Sequence, residues 1–421
     1  MENQKFSRTQ TSLLTVHMLY IVLELFTSTF LTSHIVSVDP NDVLGSGLFN
    51  IGLFYISQFT VYSILYFVNS HFVDKSNRVS FLRVGILVNT VLLIALVFWG
   101  EIISNWIVLA GALIGLADSF YYSSYIVMKN ELNGRRYIKK YNMLTTVITN
   151  IIKVIVPTIL GFVIDASSYS SIAIYVILIT VVQFVISFFI KSFKPQGSKF
   201  EIGAYFKFLK ENKDVRNKVK YTYFNAALVG PKSTFKIIVI ILTIYTFKTN
   251  VSLGIFTSLF SFATMALLLL YKKIDDNPKI NKLAIYLLIG ILPVVCCVFM
   301  VIWLNKATLI IYNFVLTITI YFSDYFGSLE RDAIIKNIGR KEFIAEHQLV
   351  VETTQDISRI IAYGLFVVAG AFGSINMFKI LLLVLIATTP LKYVVMYKQR
   401  QVRKGFEIAN KSTETLNEKQ A

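Results

Sequence analysis

The chain has 421 residues, of which 55% are hydrophobic and only 15% are charged, and its formal net charge is +17. A typical soluble domain has about 25% charged residues, so a soluble chain of this composition would leave large apolar patches in water. The composition therefore excludes a soluble enzyme and predicts an integral membrane protein that crosses the bilayer many times.

Twelve apolar runs follow one another along the chain, each of roughly the 20 residues that an α-helix needs to cross a bilayer. The sequence therefore predicts an all-α integral membrane protein with twelve transmembrane helices. The predicted spans are 12–37, 45–71, 80–99, 103–128, 142–165, 170–190, 219–247, 251–271, 282–304, 307–330, 347–370 and 375–396.

Residue types that carry other chemistry are scarce. Cys296 and Cys297 are adjacent in an apolar stretch, which fits neither a disulfide framework nor a spaced metal site. The four histidines are far apart, and the sequence contains no GxxxxGK loop for a nucleotide phosphate. We therefore expect no enzymatic activity, no cofactor, no metal and no transport driven by nucleotide hydrolysis in this chain.

The placement of Lys and Arg predicts the orientation. If the N-terminus is inside, 34 of the 41 Lys and Arg residues lie in cytoplasmic segments. Because membrane proteins retain positive charge on the cytoplasmic side, both termini are expected there. The basic excess then reflects topology and attraction to anionic lipid rather than nucleic-acid binding. A Lys-rich, Ile-rich and Asn-rich composition is typical of an AT-rich bacterial genome, which favours a bacterial plasma membrane.

The two halves of the chain share a charge pattern. Asp118 and Asp324 are 206 positions apart, and so are Lys153 and Arg359. Parallel six-helix repeats are a recurrent plan of secondary transporters, so we expect two pseudo-symmetric six-helix bundles. The predicted domains are a first bundle at 1–190, a basic cytoplasmic linker at 191–218, a second bundle at 219–396 and a cytoplasmic tail without regular structure at 397–421.

This plan resembles the major facilitator superfamily. The sequence NSHFVDKSNR at 69–78 is similar to the family's loop between spans 2 and 3, and VPTILG at 156–161 keeps two residues of a span 5 motif associated with antiporters, Pro157 and Gly161. The resemblance implies alternating access around a central cavity lined by spans 1, 4, 7 and 10. It also implies a cytoplasmic gate formed by Asp74, Lys75 and Arg78.

Charged and polar residues inside the spans indicate the candidate site. An ionisable group in hydrocarbon costs at least about 2.5 kcal/mol, so it faces a cavity or a partner. The proton-coupling candidates are Glu24, Asp118 and Asp324. The helix-pairing candidates are Lys153, Asp356 and Arg359. The substrate-cavity candidates are His17, Tyr122, Tyr125, Asn225, Lys232, Lys236, Asn313 and Tyr321.

We expect a monomeric, proton-coupled secondary transporter of a small organic solute. Aromatic residues beside Asp118 and Asp324 suit an amphipathic or cationic solute, and the Pro157 and Gly161 pattern favours efflux. One alternative is an uptake symporter for a sugar, amino acid or organic anion, with the anionic group at Lys232 and Lys236. Another is a lipid flippase or a membrane sensor that transports nothing. A flippase is distinguished by a cavity that is laterally open and more apolar.

Overall fold

The structure is a computed structural model that describes residues 6–37, 42–72, 77–167, 169–192, 200–247, 249–275, 281–337 and 343–420. Some side chains within those ranges are not described, chiefly at 130–139, 267–275, 324–337 and 406–420.

Every regular element in the described part is a helix. The helices are α1 (Arg8–Leu25), α2 (Thr32–Ser37), α3 (Leu48–His71), α4 (Arg78–Trp99), α5 (Ile107–Ala166), α6 (Tyr169–Ser187), α7 (Ile202–Glu211), α8 (Lys213–Ala227), α9 (Val229–Phe247), α10 (Asn250–Asp275), α11 (Lys282–Ile302), α12 (Lys306–Asn337), α13 (Ile344–Phe372), α14 (Ile375–Ile386) and α15 (Thr388–Gln420).

Capping residues define several helix ends. The Ser7 hydroxyl accepts from the Gln10 backbone and the Gln10 side chain accepts from the Ser7 backbone, so a capping box begins α1. The Asn281 side chain accepts from two backbone N–H groups at the start of α11. Gly373 adopts a left-handed conformation, with φ of 60°, and ends α13.

Nine segments in the described part of the chain are long and apolar enough to cross a membrane. One of them, Arg78–Lys129, has 52 residues, about twice the length that one crossing needs. Two shorter apolar helices, Ser171–Ser187 and Asn250–Ala263, add to these. The chain is therefore a multi-pass membrane protein.

Helix α5 contains two apolar stretches that fold back on each other. Tyr125 and Tyr141 are neighbours that interact through their side chains. A straight helix would separate residues 16 positions apart by about 24 Å along its axis. The backbone therefore reverses direction between these two residues, where the sequence predicted a basic loop.

Contacts between helix ends show how the spans of the first half alternate. At one end, the Gln10 amide donates to the Leu132 carbonyl at 3.1 Å, and the Arg8 guanidinium lies 4.5 Å from the centre of the Phe189 ring. At the other end, His34 Nε2 lies 2.9 Å from the Gly100 carbonyl oxygen. The start of α1 therefore lies on the same side of the membrane as Leu132 of α5 and Phe189 after α6, and the end of α4 lies on the other side with His34.

The predicted linker and tail contain helix. The linker range includes α7 and the start of α8, and α15 continues to Gln420 through most of the predicted tail. Helix α7 is amphipathic, with Tyr205, Phe208 and Leu209 buried. Burial of an apolar face can stabilise a short helix that its sequence alone would not hold.

Candidate functional site

Glu24 and Tyr122 connect the first span to the fourth. The Tyr122 hydroxyl donates to Glu24 Oε2 at 3.1 Å, and the Glu24 side chain is exposed although it lies within a span. The backbone of the first span widens to a π-helix at Phe26–Leu31, directly after Glu24. Such π segments are frequent at functional sites because they turn side chains out of the regular helical register.

Asp118 has two described hydrogen-bond donors. The Tyr20 hydroxyl donates to Asp118 Oδ1, and the Gln58 amide donates to Oδ2 at 3.1 Å. Asp118 itself is half-buried. The carboxyl is therefore held by the first and second spans, and its partners come from two helices that the sequence did not connect to it.

His17 and Tyr125 are packed rather than open to a cavity. Only 7% of His17 and 3% of Tyr125 is exposed, and their ring centres are 3.9 Å apart in a stacked arrangement. His17 Nδ1 also lies 3.3 Å from the Tyr121 hydroxyl. We therefore leave both residues out of the site and assign them to the contact between α1 and α5.

Three lysines lie where helices of the second half meet. Lys236 in α9 is exposed, and Lys232, one turn earlier, is half-buried. Lys392 in α15 is only 5% exposed, and its Nζ donates to the Leu228 carbonyl at 3.2 Å. The charges of Lys392 and Lys236 both act on Lys232, so the three ammonium groups form one cluster.

Lys153 reaches from the fifth span toward the tenth. Its Nζ lies 5.6 Å from the centre of the Tyr321 ring, and the Tyr321 hydroxyl is 2.8 Å from Ser261 Oγ. Lys153 also acts electrostatically on Lys236. Among the described residues, the Lys153 cation contacts an aromatic face, and its pairing with an acid stays a prediction.

Arg359 and Asp356 form an ion pair within one helix. Arg359 donates to Asp356 Oδ1 at 2.7 Å and to Gln355 at 3.3 Å, and Asp356 is fully buried. The contact of Arg359 with another helix is to Phe59 on α3, whose ring centre is 4.8 Å from the guanidinium carbon. This pair therefore joins the two halves through packing rather than through an ion pair between helices.

The two asparagines differ in burial. Asn313 is 3% exposed and its amide donates to Thr243 Oγ1 at 3.5 Å, which ties α12 to α9. Asn225 is half-buried, and its Oδ1 accepts no hydrogen bond from a described atom. Asn313 Oδ1 likewise accepts no hydrogen bond from a described atom, so the two residues differ in burial and not in their open acceptor.

Part of the predicted site lies outside the described residues. Asp74 and Lys75 are not described, and neither is the side chain of Asp324, whose backbone belongs to α12. Arg78 is described and is fully buried at the start of α4, with its guanidinium carbon 5.4 Å from the Phe81 ring centre. The gate of Asp74, Lys75 and Arg78 stays a prediction.

The two halves contact each other closely where α5 ends and α10 begins. The Thr158 hydroxyl donates to Ser258 Oγ at 2.7 Å. A Cβ on Gly254 would lie 2.3 Å from the Pro157 carbonyl oxygen, and one on Gly161 would lie 2.5 Å from the Asn250 carbonyl oxygen. Pro157 and Gly161, the residues that favoured efflux, thus serve close helix packing, which does not depend on the direction of transport.

On the opposite side, α7 packs on the start of α13. The Tyr205 hydroxyl lies 2.8 Å from His347 Nδ1, and the Glu201 backbone N–H donates to Glu346 Oε1 at 2.8 Å. Burial raises the pKa of Tyr205 well above its ordinary value, so the hydroxyl stays protonated. The Phe200 ring also lies 5.1 Å from that of His71 at the end of α3. The linker thus contacts both halves.

A groove of about 410 Å³ lies among α9, α13 and α14. Its lining is mostly apolar, and Ile357 and Ile361 at its rim are 54% and 63% exposed. Pro231 and Leu385 belong to its walls, and Ser358 is one of its few polar residues. The exposed isoleucines make the rim of the groove apolar.

The sequence missed three residues of the site. Tyr20 and Gln58 hold Asp118, and Lys392 was not among the predicted site residues. The signal for Lys392 was present, since it lies within the apolar run predicted as the twelfth span. The Tyr20 and Gln58 contacts gave no comparable signal, because neutral polar residues are common in membrane helices.

Comparisons with known proteins agree on one family. The sequence model of the Major Facilitator Superfamily matches residues 13–330. No curated protein sequence matches the chain.

Among solved structures, a POT family transporter in complex with 5-aminolevulinic acid has a TM-score of 0.67 at 12% identity, covering 93% of this chain and 96% of that one. A bacterial homologue of the iron transporter ferroportin in an inward-facing state has a TM-score of 0.67 at 15% identity, covering 94% and 99%. The nucleoside transporter NupG, in a mutant form, has a TM-score of 0.64 at 9% identity, covering 93% and 99%. At these identities the likeness concerns the fold.

Proposed function

The chain belongs to the Major Facilitator Superfamily and is a transporter rather than an enzyme, and we propose that it moves a small organic solute across a bacterial plasma membrane by alternating access. The proposed arrangement is twelve spans in two six-helix bundles, with both termini in the cytoplasm. The 52-residue segment Arg78–Lys129 counts as two crossings, and the two shorter apolar helices count as one each.

The observation that carries the proposal is the set of charged groups between the halves. Glu24 and Lys236 are exposed although both lie within spans, and Lys153 is close enough to act on Lys236. Charges at this depth are expensive unless they face water or a polar occupant. A cavity between two bundles that rock against each other supplies such a place.

Proton coupling is proposed to act through Glu24 and Asp118. Glu24 is exposed and has one hydrogen bond, from Tyr122, so it can exchange a proton with water. Asp118 has two donors, Tyr20 and Gln58, which hold its carboxyl group in place. Protonation changes the charge of the cavity and can thereby bias the open side.

The test uses purified protein in lipid vesicles that contain a trapped pH-sensitive dye. Sugars, amino acids, organic acids and amines are added separately as outward or inward gradients. We expect at least one class to drive proton movement that protein-free vesicles do not show. If a solute exchanges across the membrane and moves no protons, transport stands and the coupling proposal is wrong. If no class moves in any assay, the transport proposal fails.

A lipid-like solute is the second candidate, favoured by the apolar groove among α9, α13 and α14. A flippase needs lateral access for acyl chains, and this groove opens at exposed Ile357 and Ile361. Fluorescent phospholipids in the same vesicles distinguish the two candidates. Dithionite quenches only the fluorescent lipids of the outer leaflet. If the protein allows dithionite to quench the inner-leaflet lipids as well, the lipid solute is favoured.

A further inference from the structure

Two side chains of opposite charge face the space between the halves without forming an ion pair. Glu24 in α1 and Lys236 in α9 are both exposed. The described salt bridges within 4 Å involve other residues, Asp214 with Lys218 and Asp356 with Arg359. The carboxylate and the ammonium are therefore each open to a further partner.

Contacts around both groups come from helices of the two halves. Glu24 accepts from Tyr122 of α5 at 3.1 Å, and its charge acts on Lys236. Lys153, whose Nζ lies over the Tyr321 ring of α12, also acts on Lys236. Four helices from both halves thus converge on the same charges.

The acidic and basic side chains are distributed unequally between the halves. The carboxylates of Glu24 and Asp118 lie in the first half, whereas the ammonium groups of Lys236, Lys232 and Lys392 lie in the second. The ion pair of Arg359 with Asp356 is neutral as a unit and adds to neither side. Two described charges depart from this division: Lys153 belongs to the first half and acts on Lys236, and Glu352 belongs to the second half. The charges therefore form an acidic group at Glu24 and Asp118 and a basic group at Lys236, Lys232 and Lys153.

We propose that the transported solute is zwitterionic, with a protonated amine at Glu24 and an anionic carboxylate or phosphate at Lys236 and Lys153; this rests on the transport function proposed above. Both contacts are charge-assisted hydrogen bonds, which are the strong class. A solute of this kind touches both halves through opposite charges, so it favours the state in which the halves close around it. A solute with a single charge leaves one of the two groups without a partner.

The first experiment measures binding to purified wild-type protein in detergent, with probes matched in length. The carboxylate arm uses 5-aminopentanoate, pentanoate and pentylamine, extended to chains of two to eight carbons. The phosphate arm uses 2-aminoethyl phosphate, ethyl phosphate and ethylamine. We expect a zwitterion of one arm to bind at least about tenfold more tightly than either of its single-charge analogues. Failure of every zwitterion to do so, whatever else binds, overturns the proposal.

Two variants assign the two charges of the zwitterion. Lys236→Gln is expected to reduce zwitterion affinity about tenfold and to leave binding of the amine analogue unchanged. Glu24→Gln is expected to do the same and to leave binding of the anionic analogue unchanged. Matched controls are Lys306→Gln and Glu101→Gln, which remove exposed charges outside the cavity and should change no affinity. Equal weakening of all three probes by either cavity variant would contradict the assignment.

Transport of the bound zwitterion is measured separately, by counterflow in vesicles. A zwitterion that binds as predicted but does not exchange across the membrane leaves the recognition proposal standing and removes the transport function. If a singly charged solute exchanges rapidly while zwitterions do not bind, the transport function stands and the recognition proposal is wrong. The two proposals therefore fail through different results.

Discussion

The Asp165 carboxylate binds the first turn of the helix that begins at Asn250. Oδ1 accepts from the Asn250 backbone N–H at 3.2 Å and from its side-chain amide at 2.9 Å, and Oδ2 accepts from the Val251 N–H at 2.9 Å. The Ser33 hydroxyl donates to the same Asn250 side chain at 3.1 Å. A residue of the first half thus caps a helix of the second half, on the side that the Lys and Arg placement assigns to the exterior.

Asp165→Ala is expected to weaken closure on that side. Loss of a helix cap costs about 1 kcal/mol, which shifts an equilibrium roughly fivefold. Lys236→Cys, in a background with Cys296 and Cys297 replaced by Ser, should then react about fivefold faster with an impermeant thiol reagent added outside. Glu101→Ala, an exposed acid on the same side, is the control. Unchanged labelling in Asp165→Ala would show that this contact does not hold the side closed.

Glu24→Gln is expected to uncouple solute flux from the pH gradient. Glutamine keeps the shape and can still accept from Tyr122, but it cannot exchange a proton. Gradient-driven accumulation in vesicles should fall to the level seen without a gradient, whereas counterflow at saturating solute should persist. A proportionate loss in both assays would instead indicate that Glu24 has a structural role.

The Asp356 and Arg359 pair should show strong coupling in a double-mutant cycle. Because Asp356 is fully buried, Arg359→Met leaves its carboxylate without its main partner, at a cost of about 3–5 kcal/mol. Asp356→Asn alone should also destabilise, and the double variant should recover much of the loss. Thermal unfolding in detergent measures all four proteins. Additive losses in the double variant would mean that the two residues act independently.

Gly254→Ala is expected to disturb the contact between the halves. The added Cβ would lie 2.3 Å from the Pro157 carbonyl oxygen, so α5 and α10 must separate, and both the unfolding temperature and the flux should fall. The matched control is Gly364→Ala, because nothing lies within 4 Å of a Cβ at that helical position. The control should be neutral or stabilised by up to about 1 kcal/mol. Equal behaviour of the two variants would contradict the close approach.

The orientation can be tested at two exposed lysines. Lys306→Cys at the start of α12 should react with an impermeant thiol reagent outside intact cells, and Lys213→Cys at the start of α8 should react only after lysis. The protein in which Cys296 and Cys297 are replaced by Ser, with no cysteine added, gives the background level of labelling. Labelling of position 213 and not 306 in intact cells would invert the predicted topology.

The family, the membrane class and the absence of enzymatic function followed from the sequence, and the family match over residues 13–330 confirms the resemblance. These properties are local or additive. A span is recognised by its own apolar residues, and a loop motif is recognised by its own short sequence. Charges inside spans were equally visible, because an ionisable residue in an apolar run stands out wherever it is.

The partners of those charges came only from the tertiary structure. The residues that hold Asp118, Tyr20 and Gln58, lie 98 and 60 positions away along the chain. Lys392 lies in the predicted twelfth span, and only the fold brought its Nζ to the Leu228 carbonyl, 164 positions away. A hydrogen bond or an ion pair depends on which helix faces lie opposite each other, and helix packing sets those faces through many weak contacts spread over the chain. The sequence thus determined that Glu24 and Lys236 are costly in a membrane, and only the packing of the two halves decided that the charge of one acts on the other.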